Sequence, residues 1–318
     1  MEKALKNRSF LFFEWVIIDN CNLNCSYCVN KGEFSQKPKE KMIYTPGVEK
    51  EIARKIVEIS KTSRRVVVNL TGGEPTMAHY IEDVISILGK VENIELQLIS
   101  NLKTISRIET LLPLLSHVMV SLHISYRKVG DIDKMIRVIN LYKDMVTFSL
   151  SQVDVSLTDP ERKELARIES ETGLPIVFQT FIPPWTEEGK VEDGDKITDK
   201  NFQASRGKYC SLGYFYFFIF ADGTLKYDLW CNEKTGRYGN LLSAKPGQFE
   251  EYILDDMKKC PHSSCGCNYN YFNHKEYLEE CRKLGYPEKD IFVGSNTRFL
   301  QRVLRRLSRF RVRYLKAR

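Results

Sequence analysis

Between residue 10 and about residue 182, short apolar or β-branched runs alternate with helix-patterned stretches, and few folds accommodate that alternation. FFEWVIID, VVVNL, IELQLIS, HVMVSLH, VTFSLSQV and PIVFQTF read as six strands. Strands separated by helices pair in parallel, because a parallel neighbour needs a crossover that returns the chain to the same end of the sheet. TPGVEKEIARKIVEISKT repeats Val48, Ile52, Ile56 and Ile59 at helical spacing after a Thr-Pro start. SYRKVGDIDKMIRVINLYKDM behaves similarly, and TDPERKELARIESETG offers Thr158 or Asp159 as cap and Gly173 as stop. Right-handed βα units repeated six times curl into an open barrel, short of the closed eight. The expected fold is α/β, a partial (β/α)6 TIM-like barrel.

A chain of 318 residues has room for this barrel and a smaller appended module. Residues 183–208 are polar, charged and rich in turn formers, as expected of a linker. Beyond them YFYFFIFADGTLKYDLW reads as a β-hairpin turning at Ala221, Asp222 and Gly223, with cysteines around it. The expected organisation is a barrel over 10–182, a linker over 183–208, a cysteine-rich module over 209–285 and a basic amphipathic tail over 286–318.

Nine cysteines, an odd number, accompany no export signal: SFLFFEWVII carries Glu14 in its middle and has no small-residue cleavage site after it. Reduced thiols in a cytoplasmic setting, serving as metal ligands, are therefore expected rather than a disulfide framework. No stretch approaches the ~20 apolar residues of a membrane-spanning helix. The net charge of +7 is local, since residues 298–318 hold nine Arg or Lys and no acid, which leaves the rest at −2. In that tail Leu300, Val303, Leu304, Leu307, Phe310 and Tyr314 share one helical stripe, with Arg302, Arg305, Arg306, Arg309 and Arg313 elsewhere. Such a helix suits an acidic partner or an anionic lipid surface, the latter placing the protein peripherally at the inner membrane face. A terminal helix packed on the barrel is the plainer alternative. Nucleic acid is not an expected partner, because no recognised RNA module accompanies the tail.

CNLNCSYC places Cys21, Cys25 and Cys28 directly after the first strand, at the sheet edge where barrel enzymes build their active sites. Three thiolates serve three irons of a cubic 4Fe-4S cluster and leave the fourth open to a substrate or cofactor. Buried structural thiols, or a zinc site completed by a remote His or Cys, are the alternatives. After the second strand comes NLTGGEPTM. Its Gly72 and Gly73 let backbone approach a ligand closely, and the Glu74 carboxylate can accept from an ammonium group. A plain turn is the other reading of the glycine pair.

Together these motifs resemble the radical S-adenosylmethionine (SAM) superfamily. Tyr27 matches its aromatic before the third thiol, and Gly72, Gly73, Glu74 and Pro75 match its glycine-rich segment. The resemblance covers most of residues 10–182. It implies that Cys21, Cys25 and Cys28 hold a 4Fe-4S cluster, that the amino and carboxylate groups of SAM bind the fourth iron, and that the Gly-Gly-Glu segment holds the amino group. Asn101 in LISN looks like the ribose contact, and Ser121 in VSLH like the family's serine-bearing strand, with strand-end capping as the alternative for both. The implied chemistry passes an electron from an external one-electron reductant, of flavodoxin or ferredoxin type, through the cluster into the sulfonium. Methionine and a 5′-deoxyadenosyl radical result, and the protein aims that radical at one C–H bond.

Cys210 and Cys231 bracket the hairpin, and CPHSSCGC adds Cys260, Cys265 and Cys267. Four of these five can bind a second 4Fe-4S cluster or a structural zinc. The series also resembles the auxiliary-cluster module of the SPASM/Twitch subgroup, which implies the second cluster. The usual pattern ends in a tighter pair, so which of Cys260, Cys265 and Cys267 is spare stays open. Cys281, on the helix pattern HKEYLEECRKLGY, is a packed side chain or a hydrogen-atom donor. His123 and Ser125 lie at or just past the fourth strand, as structural residues or facing a substrate. Gln152 and Gln179 end strands five and six, where polar groups bind sugar hydroxyls or amides.

The resulting expectation is a radical SAM enzyme abstracting hydrogen from a carbohydrate or other small molecule. Dehydrogenation would pass the second electron to an auxiliary cluster, and epimerisation would draw on a thiol donor. Only about ten residues precede the first strand, too few for the leader-peptide domain of many peptide-modifying members. A peptide-modifying maturase is the alternative within the family. A non-catalytic zinc or iron-sulfur protein whose tail docks on a membrane or nucleic acid is the alternative outside it.

Overall fold

The computed structural model describes residues 10–28, 47–154, 156–180, 207–226, 239–244, 249, 252, 256–259, 275–287 and 291. Six parallel strands form the barrel-like core: β1 (Leu11–Ile18), β2 (Val66–Gly72), β3 (Ile94–Ser100), β4 (His117–Ser121), β5 (Thr147–Asp154) and β6 (Ile176–Thr180). Each lies beside its predecessor, as βα units with short crossovers require. The helices are α1 (Val48–Ser60), α2 (Ile81–Leu88), α3 (Val129–Tyr142) and α4 (Asp159–Thr172). The crossover from β3 to β4 carries instead a 3-10 run, Glu109–Leu114, with Pro113 inside it.

The three helices expected from the periodicity are present. α4 starts as its sequence dictates, with Thr158 and Glu161 exchanging side-chain-to-backbone hydrogen bonds, and stops at left-handed Gly173. α2 is an addition of eight residues, a length at which the helical period barely repeats.

Strand alternation sets up two unlike faces. Leu11, Phe13, Trp15 and Ile17 of β1 join Val66, Val68 and Leu70 of β2 and the apolar faces of α1 and α2 in one fully buried core. Glu14, Val16 and Ile18 face the other way, into the barrel, and remain partly exposed.

The hairpin expected around Ala221–Gly223 forms from β8 (Tyr216–Ile219) and β9 (Thr224–Lys226), with Gly223 at φ +81°. The sequence reading put it in a module apart. In the structure β8 pairs in parallel with β1 and continues the barrel sheet. The cause lies in the run YFYFFI, which is apolar on both faces and needs cover on both sides, while β1 would otherwise present an unpaired edge. Tyr216, Phe217, Phe218 and Ile219 are all buried there, and Tyr216 stacks on Phe12 at 5.0 Å. A short strand β10 (Gly239–Asn240) completes this edge.

A second compact unit holds β7 (Tyr209–Cys210) paired antiparallel with β11 (Lys258–Lys259), and α5 (Lys275–Lys283). Tyr209 meets Tyr286 edge-on at 4.8 Å, and Tyr286 Oη accepts from the Met257 amide at 3.1 Å. Cys231, Cys260, Cys265, Cys267 and the tail stripe from Leu300 onward lie outside the described residues. Among the described residues no helix is long and apolar enough to cross a membrane.

Candidate active site

The cysteine loop leaves β1 at its carboxyl end and folds on its own apolar residues. Leu23, Cys25 and Tyr27 are buried together, with Cys21, Cys28, Tyr126 and Val153 packed around them. The Leu23 amide donates to Cys21 Sγ at 3.4 Å, and Asn101 Nδ2 approaches the same sulfur at 3.9 Å. Donors aimed at a sulfur favour its thiolate form and tune a metal it binds. Among the described residues no three ligating side chains converge as they would on a single ion. A cubic cluster asks for something else, since it spreads its thiolates over three separate irons.

The glycine pair closes the strand end rather than opening it. The Gly73 amide donates to the Ile18 carbonyl at 2.7 Å, and the Glu74 amide to the Asn20 carbonyl at 2.8 Å. A Cβ on Gly72 would sit 2.2 Å from the Ile18 carbonyl oxygen, and one on Gly73 would sit 2.2 Å from that of Asn20. Gly72 also has φ +133°, a region closed to other residues. Only glycine lets the turn after β2 clasp the root of the cysteine loop.

Glu74, 1% exposed, is held from several sides. Its Oε1 accepts from the Thr76 amide at 3.1 Å, Thr76 Oγ1 at 2.6 Å and Ser100 Oγ at 2.7 Å. Its Oε2 accepts from the Asn101 amide at 2.7 Å. The carboxylate thus ties the turn after β2 to the end of β3. Of the roughly four acceptor positions of a carboxylate, the one left on Oε2 is able to meet an ammonium group.

Asn101 joins β3 to the cysteine loop, with Nδ2 donating to Asn22 Oδ1 at 2.8 Å. Its carbonyl accepts from Arg127, a residue the sequence reading did not single out. The Arg127 guanidinium also donates to the carbonyls of Leu122 and, at 2.8 Å, Ser121. Burial lowers its pKa to about 10, with Glu74 the largest opposing influence, so it stays a cation at neutral pH. A lone Arg in a polar loop has no periodicity to announce it, and its partners are carbonyls contributed by tertiary structure.

His123 sits in a left-handed conformation, φ 45° and ψ 50°, uncommon for a residue with a side chain. Its Nδ1 lies 3.2 Å from Tyr27 Oη, and the two rings stack at 5.7 Å. Burial, then the charge of Arg127, lowers its pKa to about 4, and the imidazole is neutral. Burial also raises the Tyr27 phenol, followed by the nearby Cys25, and it keeps its proton. The Ser26 amide donates to Tyr126 Oη at 2.8 Å, a second clamp between the cysteine loop and the turn after β4.

Comparison with known families bears on this rim. The model described as the radical SAM superfamily matches residues 15–188, more than half of the chain. The chain belongs to the radical SAM superfamily. Membership carries with it a 4Fe-4S cluster, SAM and an external reductant, and the members are enzymes. GTP 3′,8-cyclase 2 of Mycobacterium tuberculosis is 29% identical over 75 residues, covering 24% of this chain and 20% of the cyclase. GTP 3′,8-cyclase of Aquifex aeolicus is 32% identical over 80 residues, covering 25% and 23%. The match thus spans less than a quarter of these curated relatives' length. Among solved structures, Streptococcus suis SuiB bound to S-adenosylmethionine superposes with a TM-score of 0.53 at 15% identity, over 74% of this chain and 64% of SuiB. That is a likeness of fold.

The structure brings Cys21, Cys25, Cys28, Gly72, Gly73, Glu74, Asn101, Ser121 and His123 of this radical SAM chain to one end of the sheet. Gln152, 1% exposed, accepts from the Ile124 amide at 3.1 Å and supports the turn that carries His123. Ser125 lies in that same turn, at the surface. Cys210 and Cys281 belong to the other unit, where Cys210 is partly exposed on β7 and Cys281 is fully buried on α5.

Proposed function

We propose that this radical SAM enzyme takes a hydrogen atom from a carbohydrate or similar polar small molecule held in the barrel, below a rim that binds SAM. The observation that carries the reading is a pair of buried donors at the rim. Asn22 Nδ2 and Arg127 Nη1 have no hydrogen-bond partner among the described residues, and both groups attach to Asn101. Buried N–H groups left unpaired cost about 1–3 kcal/mol each, so a ligand oxygen is the natural occupant.

The donor set fits the absent groups. Cys21, Cys25 and Cys28 would hold the cluster. Gly72 and Gly73 backbone, Glu74, Asn101 and Ser121 would hold SAM, with Asn22 and Arg127 added to the set. When bound, the two together supply a carbon-centred radical able to abstract hydrogen. The chain's own work is to bind and orient. Arg127 presents a fixed cation to a carboxylate, neutral His123 holds Tyr27 in place without adding charge, and the buried Leu23, Cys25 and Tyr27 keep water from the cysteine loop.

The preference for a polar small molecule rests on the inner barrel face, where Gln97, His117, Ser121 and Ser149 stand among Val67, Ile99 and Met119, a more polar lining than the aliphatic layers usual in a closed barrel. Cys210, Cys231 and two of Cys260, Cys265 and Cys267 are proposed to bind a second 4Fe-4S cluster. Close to eight irons per chain supports this, and four opposes it.

Deuterium transfer tests the proposal. Ring-deuterated monosaccharides are incubated with anaerobically reconstituted protein, SAM and dithionite. Label appearing in 5′-deoxyadenosine supports it, and 5′-deoxyadenosine that stays unlabelled across the panel counts against it.

A further inference from the structure

The inner face of the barrel carries one level row of polar side chains that the rim does not use. Strand register sets Glu14 of β1 beside Asn69 of β2, Asn69 beside Gln97 of β3, and Gln97 beside His117 of β4. Their chain neighbours Trp15, Leu70, Leu98 and Val118 lie in the helix-side core, so the row faces inward. Glu14 and His117 keep part of their exposure while those neighbours are fully buried, so the inward row retains contact with solvent at these two positions.

Two members of the row are satisfied. Gln97 Nε2 donates to Glu95 Oε1 at 2.8 Å, Glu95 in turn pairs with Arg65, and His117 Nε2 lies 2.9 Å from Ser149 Oγ. Two groups are not. Asn69, 1% exposed, has an Nδ2 with no hydrogen-bond partner among the described residues. Glu14 accepts from Tyr216 Oη, yet among the described residues no Lys, Arg or His forms an ion pair with it. Burial raises its carboxyl pKa to about 7, with the Tyr216 hydrogen bond opposing. A carboxylate in that position is relieved by a cation, and the neighbouring N–H by an oxygen. A divalent metal would ask for more oxygen ligands than this single carboxylate.

We propose that Glu14 and Asn69 form the floor of the substrate site and take a ligand that carries a primary ammonium group next to a hydroxyl or carbonyl oxygen, the ammonium on Glu14 and the oxygen on Asn69. The assignment rests on the reading above, in which the barrel lumen opens to the SAM rim. Glu14 lies four residues before the end of β1, about 13 Å from the rim at 3.3 Å per residue, a separation on the scale of one sugar-sized ring with its substituents.

Two pairs of compounds test it by saturation-transfer NMR on anaerobically reconstituted, SAM-loaded protein: D-glucosamine against D-glucose, and Nα-acetyl-lysine amide against Nα-acetyl-norleucine amide. The expected result is a several-fold stronger signal for the amine in at least one pair. The first pair marks a small-molecule amine and the second a peptidyl one. The preference should vanish in Glu14→Gln and persist, weakened, in Glu14→Asp, with folding of both variants checked by circular dichroism and iron content. Equal signals within both pairs for the wild-type protein, which need no variant, overturn the site, as does a preference that survives Glu14→Gln. SAM cleavage by the wild-type protein is followed in parallel. Its absence defeats the radical reading, whereas cleavage without amine preference defeats this site alone.

Discussion

The Asn101 amide donates to the Glu74 carboxylate at 2.7 Å, and through that bond the turn after β2 and the end of β3 become one rigid ledge beside the cysteine loop. Asn101 reaches the loop itself through Asn22, and Arg127 reaches Asn101 from the turn after β4. Hydrogen bonds thus join three strand ends and the cysteine loop in one network.

Glu74→Gln tests the ledge. An amide offers one oxygen where four donors now converge, and it adds N–H groups that face donors. Stability should fall by about 1–3 kcal/mol. SAM affinity should fall roughly tenfold or more, which corresponds to about 1.4 kcal/mol, with iron content retained. Equilibrium dialysis and iron analysis read both, and unchanged affinity would show that the ledge does not position the ligand.

Gly73→Ala drives a Cβ to 2.2 Å from the Asn20 carbonyl oxygen, so the turn must part from the root of the cysteine loop. Cluster content after reconstitution should drop well below that of the wild type. Gly130→Ala, on α3 with nothing within 4 Å, is the matched control and should be neutral or slightly stabilising. Similar iron content in both variants would contradict the account.

Arg127 is placed to act as a fork rather than a point charge. Arg127→Lys keeps the charge but cannot serve the carbonyls of Asn101, Ser121 and Leu122 together. Isothermal titration should show SAM affinity reduced in Arg127→Lys by roughly tenfold, about 1.4 kcal/mol, and reduced further in Arg127→Leu. Equal affinity in Lys and wild type would mean that charge alone is used.

Glu14 gives the protein a pH signature. Its folded pKa, about 7, lies above the ordinary 4.5, so the stability it contributes is fully present below pH 4.5 and is lost as pH rises through 7. Full ionisation costs about 3 kcal/mol, at 1.36 kcal/mol per pKa unit. Glu14→Gln should therefore gain on the wild type by up to that amount between pH 4.5 and pH 8, read from urea midpoints. A constant difference across that range would place Glu14 in ordinary solvent.

Much of this was legible in the residues. The strands announced themselves because their helix-side positions are apolar up to the carboxyl ends, aromatic at Phe13, Trp15 and Phe148 and aliphatic elsewhere in the core, and the cysteine spacing and glycine pair pointed to the rim. What escaped notice depended on distance in sequence. The run YFYFFI reads as a strand, but only the edge of β1 makes it part of the barrel. Arg127 has no pattern, since its role comes from carbonyls on two other strand ends. Glu14 stood out only as a charge in an apolar run, and its meaning appears when register sets it beside Asn69. The glycine pair reads from sequence as an approach for a ligand, whereas its closest neighbours in the structure are the Ile18 and Asn20 carbonyls.

The central claim is that Cys21, Cys25 and Cys28 support reductive cleavage of SAM. The most direct measurement is 5′-deoxyadenosine formed by anaerobically reconstituted protein with SAM and dithionite, compared with Cys25→Ala. The account predicts formation by the wild type and loss to background in the variant. Equal amounts from both, or none from a wild-type protein shown to carry its cluster, would contradict it.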